Sequence, residues 1–242
     1  MPIEGFQPHF EAVLWDMDGT LFDSEKYWLE AEVELMQRFG VVWTEHDQSI
    51  CLGGPMDRVE RYMAERANFA NPPEYFGHEL RQLMVKKFSE PLDFAPGAFA
   101  LLTQLREMQT PMGLVTASSR ALVDAALHTI PAGTFGVVIS GDDVTVGKPS
   151  PEGYLSAATQ LGVDITRSII LEDSFVGTSA ALASGATVIG ISHLGELATP
   201  APGQERQLYV THSLSDVSLE ILNSVVEDRK STRLNSSHTD IS

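Results

Sequence analysis

The chain has 242 residues, 43% of them hydrophobic and 20% charged, which is enough to bury one large core or two modest ones. Its formal net charge of -17 argues against nucleic acid and anionic membrane surfaces as partners. The single cysteine, Cys51, excludes an internal disulfide, and no stretch approaches the ~18 apolar residues of a membrane span, so we expect a cytoplasmic protein, taken as a monomer.

Short apolar strands alternate with helical patterns over most of the chain. The predicted strands cover 12–15, 112–115, 137–139, 169–171, 187–191 and 208–210. The predicted helices between them begin at Pro96-Gly97 or cover 120–127, 151–161, 174–183 and 215–226. Uninterrupted apolar strands that alternate with helices are typical of a parallel sheet covered on both faces. The sequence therefore predicts an α/β fold with a doubly wound parallel sheet.

The region after the first strand has a different pattern. Helices are predicted at 25–39, 55–67 and 73–88, and no strand interrupts them. An insertion of this length is too long for a loop, so we predict a small helical cap domain at 22–93 and a core domain at 1–21 and 94–228. Because ligands bind at the carboxyl ends of strands in such sheets, the cap is expected to act as a lid. The polar tail, 229–242, is predicted to be disordered and resembles translated vector sequence.

The first strand ends in two acids, Asp16 and Asp18, which repel each other at close range. Residues two apart in an extended chain point the same way, about 6.5 to 7 Å apart, which leaves room for a tetrahedral group between them. Asp16 could attack phosphorus while Asp18 protonates the departing oxygen. The alternative is a strand end capped by turn-forming acids, which the full pattern D-x-D-G-T-L disfavours.

Three further segments place polar groups after predicted core strands or in the loops between them. Thr116, with Ala117 and Ser118, ends the second strand and could bind an anion or simply cap a helix. Lys148 stands between Gly147 and Pro149 and is either a fixed positive charge or an exposed loop lysine.

In the fourth segment, a predicted strand is followed directly by two adjacent acids, Glu172 and Asp173. Carboxylates beside a phosphate need a hard cation, and oxygen ligands with room for water favour Mg²⁺. The sequence therefore predicts that a magnesium ion offsets the repulsion between the acids.

These four motifs, in this order, resemble the haloacid dehalogenase superfamily, in its phosphatase and β-phosphoglucomutase-like branch with a helical cap. The resemblance covers about 13–191. It implies that Asp16 is the nucleophile and a metal ligand. It also implies that Asp18 is the general acid and base, and that its backbone carbonyl binds Mg²⁺.

The resemblance also assigns the binding residues. Thr116, Ala117 and Lys148 would hold the phosphoryl oxygens. Asp173 would complete the metal site, with Glu172 assisting. The implied activity is hydrolysis of a small phosphorylated metabolite, a sugar or polyol phosphate, through an aspartyl phosphate.

Two related activities are less well supported. Members that cleave carbon–halogen bonds lack the second acid of the first motif, so Asp18 disfavours dehalogenation. β-Phosphoglucomutases carry a cap histidine where this chain has Trp28, and a lysine in a cap loop that here reads L-G-G-P-M-D. Met56 and Arg58 are candidate substrate contacts in that region, although Arg58 could equally be a solvated helix residue. A phosphosugar mutase and a catalytically silent binding protein remain the alternatives.

Overall fold

A computed structural model describes residues 6–51, 56–193 and 195–236, with side chains described up to residue 229. The described strands are β1 (Ala12–Trp15), β2 (Met112–Val115), β3 (Val137–Ile139), β4 (Ser168–Glu172), β5 (Thr187–Ile191) and β6 (Leu208–Thr211). They form one sheet in the order β3-β2-β1-β4-β5-β6, and every neighbouring pair is parallel. This is a doubly wound strand order, so the predicted fold class is confirmed.

The predicted helices are present among the described residues with small shifts at most ends, but one short helix was not predicted and the last helix extends beyond its predicted end. They are α1 (Glu25–Gln37), α2 (Glu45–Cys51), α3 (Met56–Arg66), α4 (Pro73–Phe88), α5 (Ala98–Glu107), α6 (Arg120–Leu127), α7 (Glu152–Leu161), α8 (Phe175–Ser184) and α9 (Leu219–Ser236). The described part of the chain contains no helix with the length and apolar character to cross a bilayer.

The four central strands, β2, β1, β4 and β5, form because their side chains are buried on both faces of the sheet. All four residues of β1 and all four of β2 are buried, and they carry no charge. The register pairs Trp15 with Leu114 of β2 and with Leu171 of β4. The residues that follow these three strands therefore reach the same edge of the sheet. The strand order reverses between β1 and β4, which is where ligands bind in folds of this type.

The chain divides into two compact units. One contains 1–23, 93–120 and 130–242, and the other contains 24–92 together with 121–129. The second unit includes α2, which the sequence analysis did not predict. Its first turn is closed by Thr44 and Asp47, whose side chain accepts hydrogen bonds from the Thr44 N–H (2.8 Å) and hydroxyl (2.6 Å). Threonine followed three residues later by an acid is a helix-start signal, and it could have identified this helix.

The last helix corrects one prediction. α9 continues to Ser236, so 229–236 is helical rather than disordered as predicted, and 237–242 lies outside the described residues. A helix that is already nucleated gains one hydrogen bond for each residue it adds, so it can extend into a polar segment without an apolar face.

Glu32 is a buried acid on α1 in the second unit, with 5% of its surface exposed. Its Oε2 accepts a hydrogen bond of 2.9 Å from the indole N–H of Trp43. Burial raises the pKa of Glu32 from 4.5 to about 7, which the Trp43 hydrogen bond opposes and the charge of Glu25 reinforces. The native state therefore binds the Glu32 proton more tightly than the unfolded chain does.

Glu32→Gln is expected to remove part of the pH dependence of stability. The contribution of Glu32 to the unfolding free energy is fully present below its ordinary pKa of 4.5 and is lost as pH rises through about 7. This loss is about 3 kcal/mol. Urea unfolding at about pH 5 and pH 8 measures most of this loss, with Glu65→Gln, an exposed acid of the same unit, as the control. Equal pH dependence in the variant and the original chain would contradict the assignment.

Candidate active site

The strand ends bring polar groups to one edge of the sheet. Asp16 follows β1, and its N–H donates to the carbonyl of Leu171 at 3.1 Å. Thr116 follows β2, and its N–H donates to the carbonyl of Ile139 at 3.0 Å. The ladder thus continues one residue beyond each strand, which fixes the backbone of both polar residues. Glu172 is the last residue of β4.

Three acids meet at the point where the strand order reverses. Asp16, Glu172 and Asp173 are all buried, and one oxygen from each lies within 4.8 Å of the others. Burial raises the pKa of Asp173 to about 8, the charge of Glu172 adds to this rise, and a hydrogen bond from Thr20 opposes it. Burial also raises the pKa of Asp16 well above its usual value, against the charge of Lys148.

Lys148 supplies one positive charge to this cluster. Its ammonium donates to Asp16 Oδ1 at 2.5 Å, to Glu172 Oε1 at 2.6 Å and to the carbonyl of Val115 at 3.0 Å. An ammonium has three hydrogens, and all three have acceptors here. Burial alone would lower the pKa of Lys148, but the charges of Asp16 and Glu172 outweigh it and raise the pKa well above its usual value.

The balance of charges at this site favours binding of a divalent cation. With the three acids ionised, the single ammonium of Lys148 leaves two negative charges uncompensated in a buried space. Carboxylate oxygens at this spacing are ligands that suit Mg²⁺. The residues present therefore fit the predicted magnesium ion.

Asp18 and the turn after β2 lie together. The hydroxyl of Ser118 donates to Asp18 Oδ2 at 2.7 Å, and the N–H of Ser118 donates to Thr116 Oγ1 at 3.0 Å. Ala117 is exposed between them. Gly141 supports the turn, because its N–H donates to the carbonyl of Ser118 at 2.8 Å and any Cβ there would lie 2.4 Å from the carbonyl of Ala117.

Glu172 is held at the start of α8. Its Oε2 accepts from the N–H of Asp173 (3.1 Å) and from the N–H (3.3 Å) and hydroxyl (3.2 Å) of Ser174. Gly177 leaves the space for this carboxylate, since a Cβ at that position would lie 1.8 Å from Glu172 Oε1. A side chain at position 177 would therefore displace the Glu172 carboxylate.

Sequence reasoning missed three residues that contact the candidate site. Thr20 donates to Asp173 Oδ1 at 3.0 Å, Ser118 donates to Asp18, and Tyr154 donates from its hydroxyl to Glu172 Oε1 at 2.8 Å. Thr20 and Ser118 belong to the quoted motifs, and Ser118 was named there beside Thr116, but their contacts with Asp173 and Asp18 were not predicted. Tyr154 carries no comparable signal, because a tyrosine on the apolar face of a helix is typically a core residue.

The other two candidates, Met56 and Arg58, belong to the second unit. Both lie in the first turn of α3, where Arg58 is exposed and Met56 is half-buried. The glycines of the predicted cap loop lie outside the described residues. Substrate contacts by Met56 and Arg58 remain a prediction.

Comparison with known proteins adds independent findings. The family model for haloacid dehalogenase-like hydrolases matches 13–191. The chain is 34% identical to validoxylamine A 7′-phosphate phosphatase of Streptomyces hygroscopicus subsp. limoneus, over 76% of this chain and 86% of the relative. It is 29% identical to hexitol phosphatase B of Escherichia coli (strain K12), over 87% and 92% of the two chains. The solved structure of a β-phosphoglucomutase from Clostridium difficile has the same fold, with a TM-score of 0.69, 20% identity and coverage of 90% and 98%.

Proposed function

Because the chain belongs to the haloacid dehalogenase-like hydrolases, we propose that it hydrolyses a phosphorylated sugar or polyol by way of a phosphoryl group on Asp16. The observation that carries this proposal is the convergence of three distant segments. Lys148 donates to Asp16 at 2.5 Å, and Asp173 lies in the same buried cluster of oxygens.

The comparisons with known proteins support the family and the enzyme class. The resemblance inferred from four short motifs is confirmed by the family model and by a relative that is 34% identical. The predicted class, a phosphoric monoester hydrolase of the haloacid dehalogenase type, is confirmed by the same family and by the named phosphatases among the relatives.

The proposed reaction has two displacements at phosphorus. A carboxylate oxygen of Asp16 forms a bond to phosphorus as the bond to the substrate oxygen breaks, and Asp18 gives that oxygen a proton. Asp18 then takes a proton from water, whose oxygen attacks phosphorus. The bond to Asp16 breaks, inorganic phosphate leaves, and both acids return to their starting state. The Ser118 hydroxyl, 2.7 Å from Asp18 Oδ2, would orient Asp18 for both proton transfers.

The remaining predicted residues would bind the phosphoryl group and the metal. The Thr116 hydroxyl and the backbone at Ala117 would donate to phosphoryl oxygens, and Lys148 would join them by exchanging one of its present acceptors. Asp16, Asp173 and the backbone carbonyl of Asp18 would hold Mg²⁺, with Glu172 assisting. A bound magnesium ion would offset the crowded negative charge and shield the phosphate from that of the nucleophile.

The substrate class is proposed from the relatives. One is named for the phosphate ester of validoxylamine A and another for hexitol phosphates, and both names fit a polyhydroxylated leaving group. We further propose that residues 22–93 act as the cap, with Met56 and Arg58 contacting the substrate. A monomer in the cytoplasm remains a prediction from the sequence.

The test is metal-dependent phosphate release. Purified protein is incubated with p-nitrophenyl phosphate in Mg²⁺ and in EDTA, and then with a panel of sugar phosphates and hexitol phosphates. We expect turnover only with the metal, and the highest kcat/KM on one or more of the polyol or sugar phosphates. Absence of phosphate release from every substrate in Mg²⁺ would contradict the proposal and favour a mutase or a binding protein.

Asp18→Asn is expected to slow turnover by ~10² to 10⁴-fold, because asparagine cannot give or take the proton. The amide oxygen can still accept the Ser118 hydrogen bond, so the fold should be retained. Steady-state kinetics with p-nitrophenyl phosphate and with a poorer leaving group measure the effect. The loss should be larger for the poorer leaving group, and equal losses on both would count against Asp18 as the acid.

A further inference from the structure

We propose that the hydroxyl of Tyr154 is a positioning group for catalysis: it holds Glu172, and through Glu172 the ammonium of Lys148, against the carboxylate of Asp16. This inference rests on the proposed function, because it assigns to Tyr154 a part in the reaction of the same site. The Tyr154 hydroxyl donates to Glu172 and not to the nucleophile, whose hydrogen bond comes from Lys148.

The first step concerns the ammonium. Lys148 donates to Asp16, Glu172 and the carbonyl of Val115, so its direction depends on where these three acceptors stand. The Val115 carbonyl is fixed by the sheet. Asp16 and Glu172 are side-chain acceptors, and Glu172 has the longer side chain, so its position depends more on other contacts.

The second step concerns the Glu172 carboxylate. One oxygen, Oε2, is held by the backbone and hydroxyl donors of Asp173 and Ser174. The other, Oε1, accepts from Lys148 at 2.6 Å and from the Tyr154 hydroxyl at 2.8 Å. Tyr154 therefore donates to Oε1 from the helix α7, and the lysine ammonium donates to the same oxygen.

The third step separates the hydroxyl from the ring. Tyr154 is fully buried, and Lys148 Nζ lies 5.0 Å from the centre of its ring. Phenylalanine would keep this ring, its packing and its contact with the cation. It would remove the hydroxyl, which donates to Glu172 and also interacts with the Lys148 ammonium. Tyr154→Phe therefore tests the hydroxyl without opening a large cavity.

The experiment compares kcat, KM and the thermal unfolding midpoint of the original chain, Tyr154→Phe and Tyr209→Phe on p-nitrophenyl phosphate in saturating Mg²⁺. Tyr209 is a partly exposed tyrosine of the same unit and serves as the control. We expect kcat to fall about tenfold in Tyr154→Phe with KM nearly unchanged, and the midpoint to fall by about 3 to 10 °C, because a buried hydrogen bond to a charged acceptor is lost. Tyr209→Phe should match the original chain.

A double-mutant cycle tests whether Tyr154 acts through Glu172. In a Glu172→Met background, which has no oxygen to accept from the Tyr154 hydroxyl, Tyr154→Phe should change kcat by less than about twofold. A full tenfold loss in that background would overturn the inference. If Glu172→Met is too slow to assay or does not fold, the single variant decides: an unchanged kcat, or a loss of kcat/KM that comes from KM alone, would overturn the inference.

The two hypotheses fail differently. If the original chain shows no metal-dependent turnover, the proposed function fails. If the original chain turns over and Tyr154→Phe does so equally fast, only the positioning role fails.

Discussion

Asp16→Asn is expected to abolish turnover while the chain stays folded. The amide lacks the charged oxygen that would attack phosphorus, so no covalent intermediate can form, and the rate should fall by a factor on the order of 10⁵ or more. Asparagine has nearly the same shape as aspartate, and its carbonyl can still accept from Lys148. Phosphate release in Mg²⁺ measures the rate, and far-ultraviolet circular dichroism checks the fold.

The control for this prediction is Glu107→Gln. Glu107 is an exposed acid on α5 of the same unit, so its replacement removes one negative charge without reaching the site. Its kcat should equal that of the original chain. Activity of Asp16→Asn within tenfold of the original would show that the phosphoryl group does not pass through Asp16.

Lys148→Met is expected to lower both activity and stability. Methionine fills a similar volume but carries no charge, so Asp16 and Glu172 lose the cation that both contact within 2.6 Å. Removing one partner of a buried ion pair costs about 3 to 5 kcal/mol of unfolding free energy. The loss of a fixed positive charge at the reacting group should lower kcat by about 10² to 10³-fold.

The matched control is Lys87→Met in the second unit. Lys87 pairs with Glu30 at 2.9 Å, but more than half of the Glu30 side chain is exposed. An ion pair of this kind is worth about 1 kcal/mol or less. Urea unfolding of both variants therefore separates a buried pair from a surface pair. Similar losses in the two variants would contradict the view that the Lys148 cluster is electrostatically buried.

The strands and the site edge could be predicted from the sequence for one physical reason. A strand covered on both faces needs a continuous run of apolar side chains, and such runs end abruptly where the chain meets solvent or a ligand. The polar residues Asp16 and Thr116 directly follow runs of this kind, and Glu172 ends a third. Because the strands are parallel, ends that are far apart in sequence meet at one edge.

The supporting contacts could not be predicted, because they depend on side-chain directions across long separations in sequence. Thr20 is 153 residues from Asp173, and Ser118 is 100 residues from Asp18. Tyr154 looked like a core residue and is one, since its ring packs in the core while its hydroxyl reaches Glu172. Periodicity identifies which face of α7 is buried, but not which buried atom has a polar partner.

The ends of helices and the short polar helix α2 were also difficult to predict from the sequence. α2 has no apolar stripe to reveal it and depends on local capping by Thr44 and Asp47. Asp47 also accepts from Tyr62 at 2.6 Å and Arg66 at 2.7 Å, both on α3. Burial alone would raise the pKa of Asp47, but these hydrogen bonds outweigh it and lower the pKa. A tertiary network of this kind stabilises a helix that its own seven residues would not.

The central claim is that phosphorus is transiently bonded to Asp16. The most direct measurement is an acid quench during turnover of p-nitrophenyl phosphate, followed by proteolysis and mass spectrometry. We predict a phosphoryl group on the peptide that contains Asp16, present in Asp18→Asn as well and absent from Asp16→Asn. Rapid turnover with no phosphorylated peptide, or with the phosphoryl group on another residue, would contradict the account.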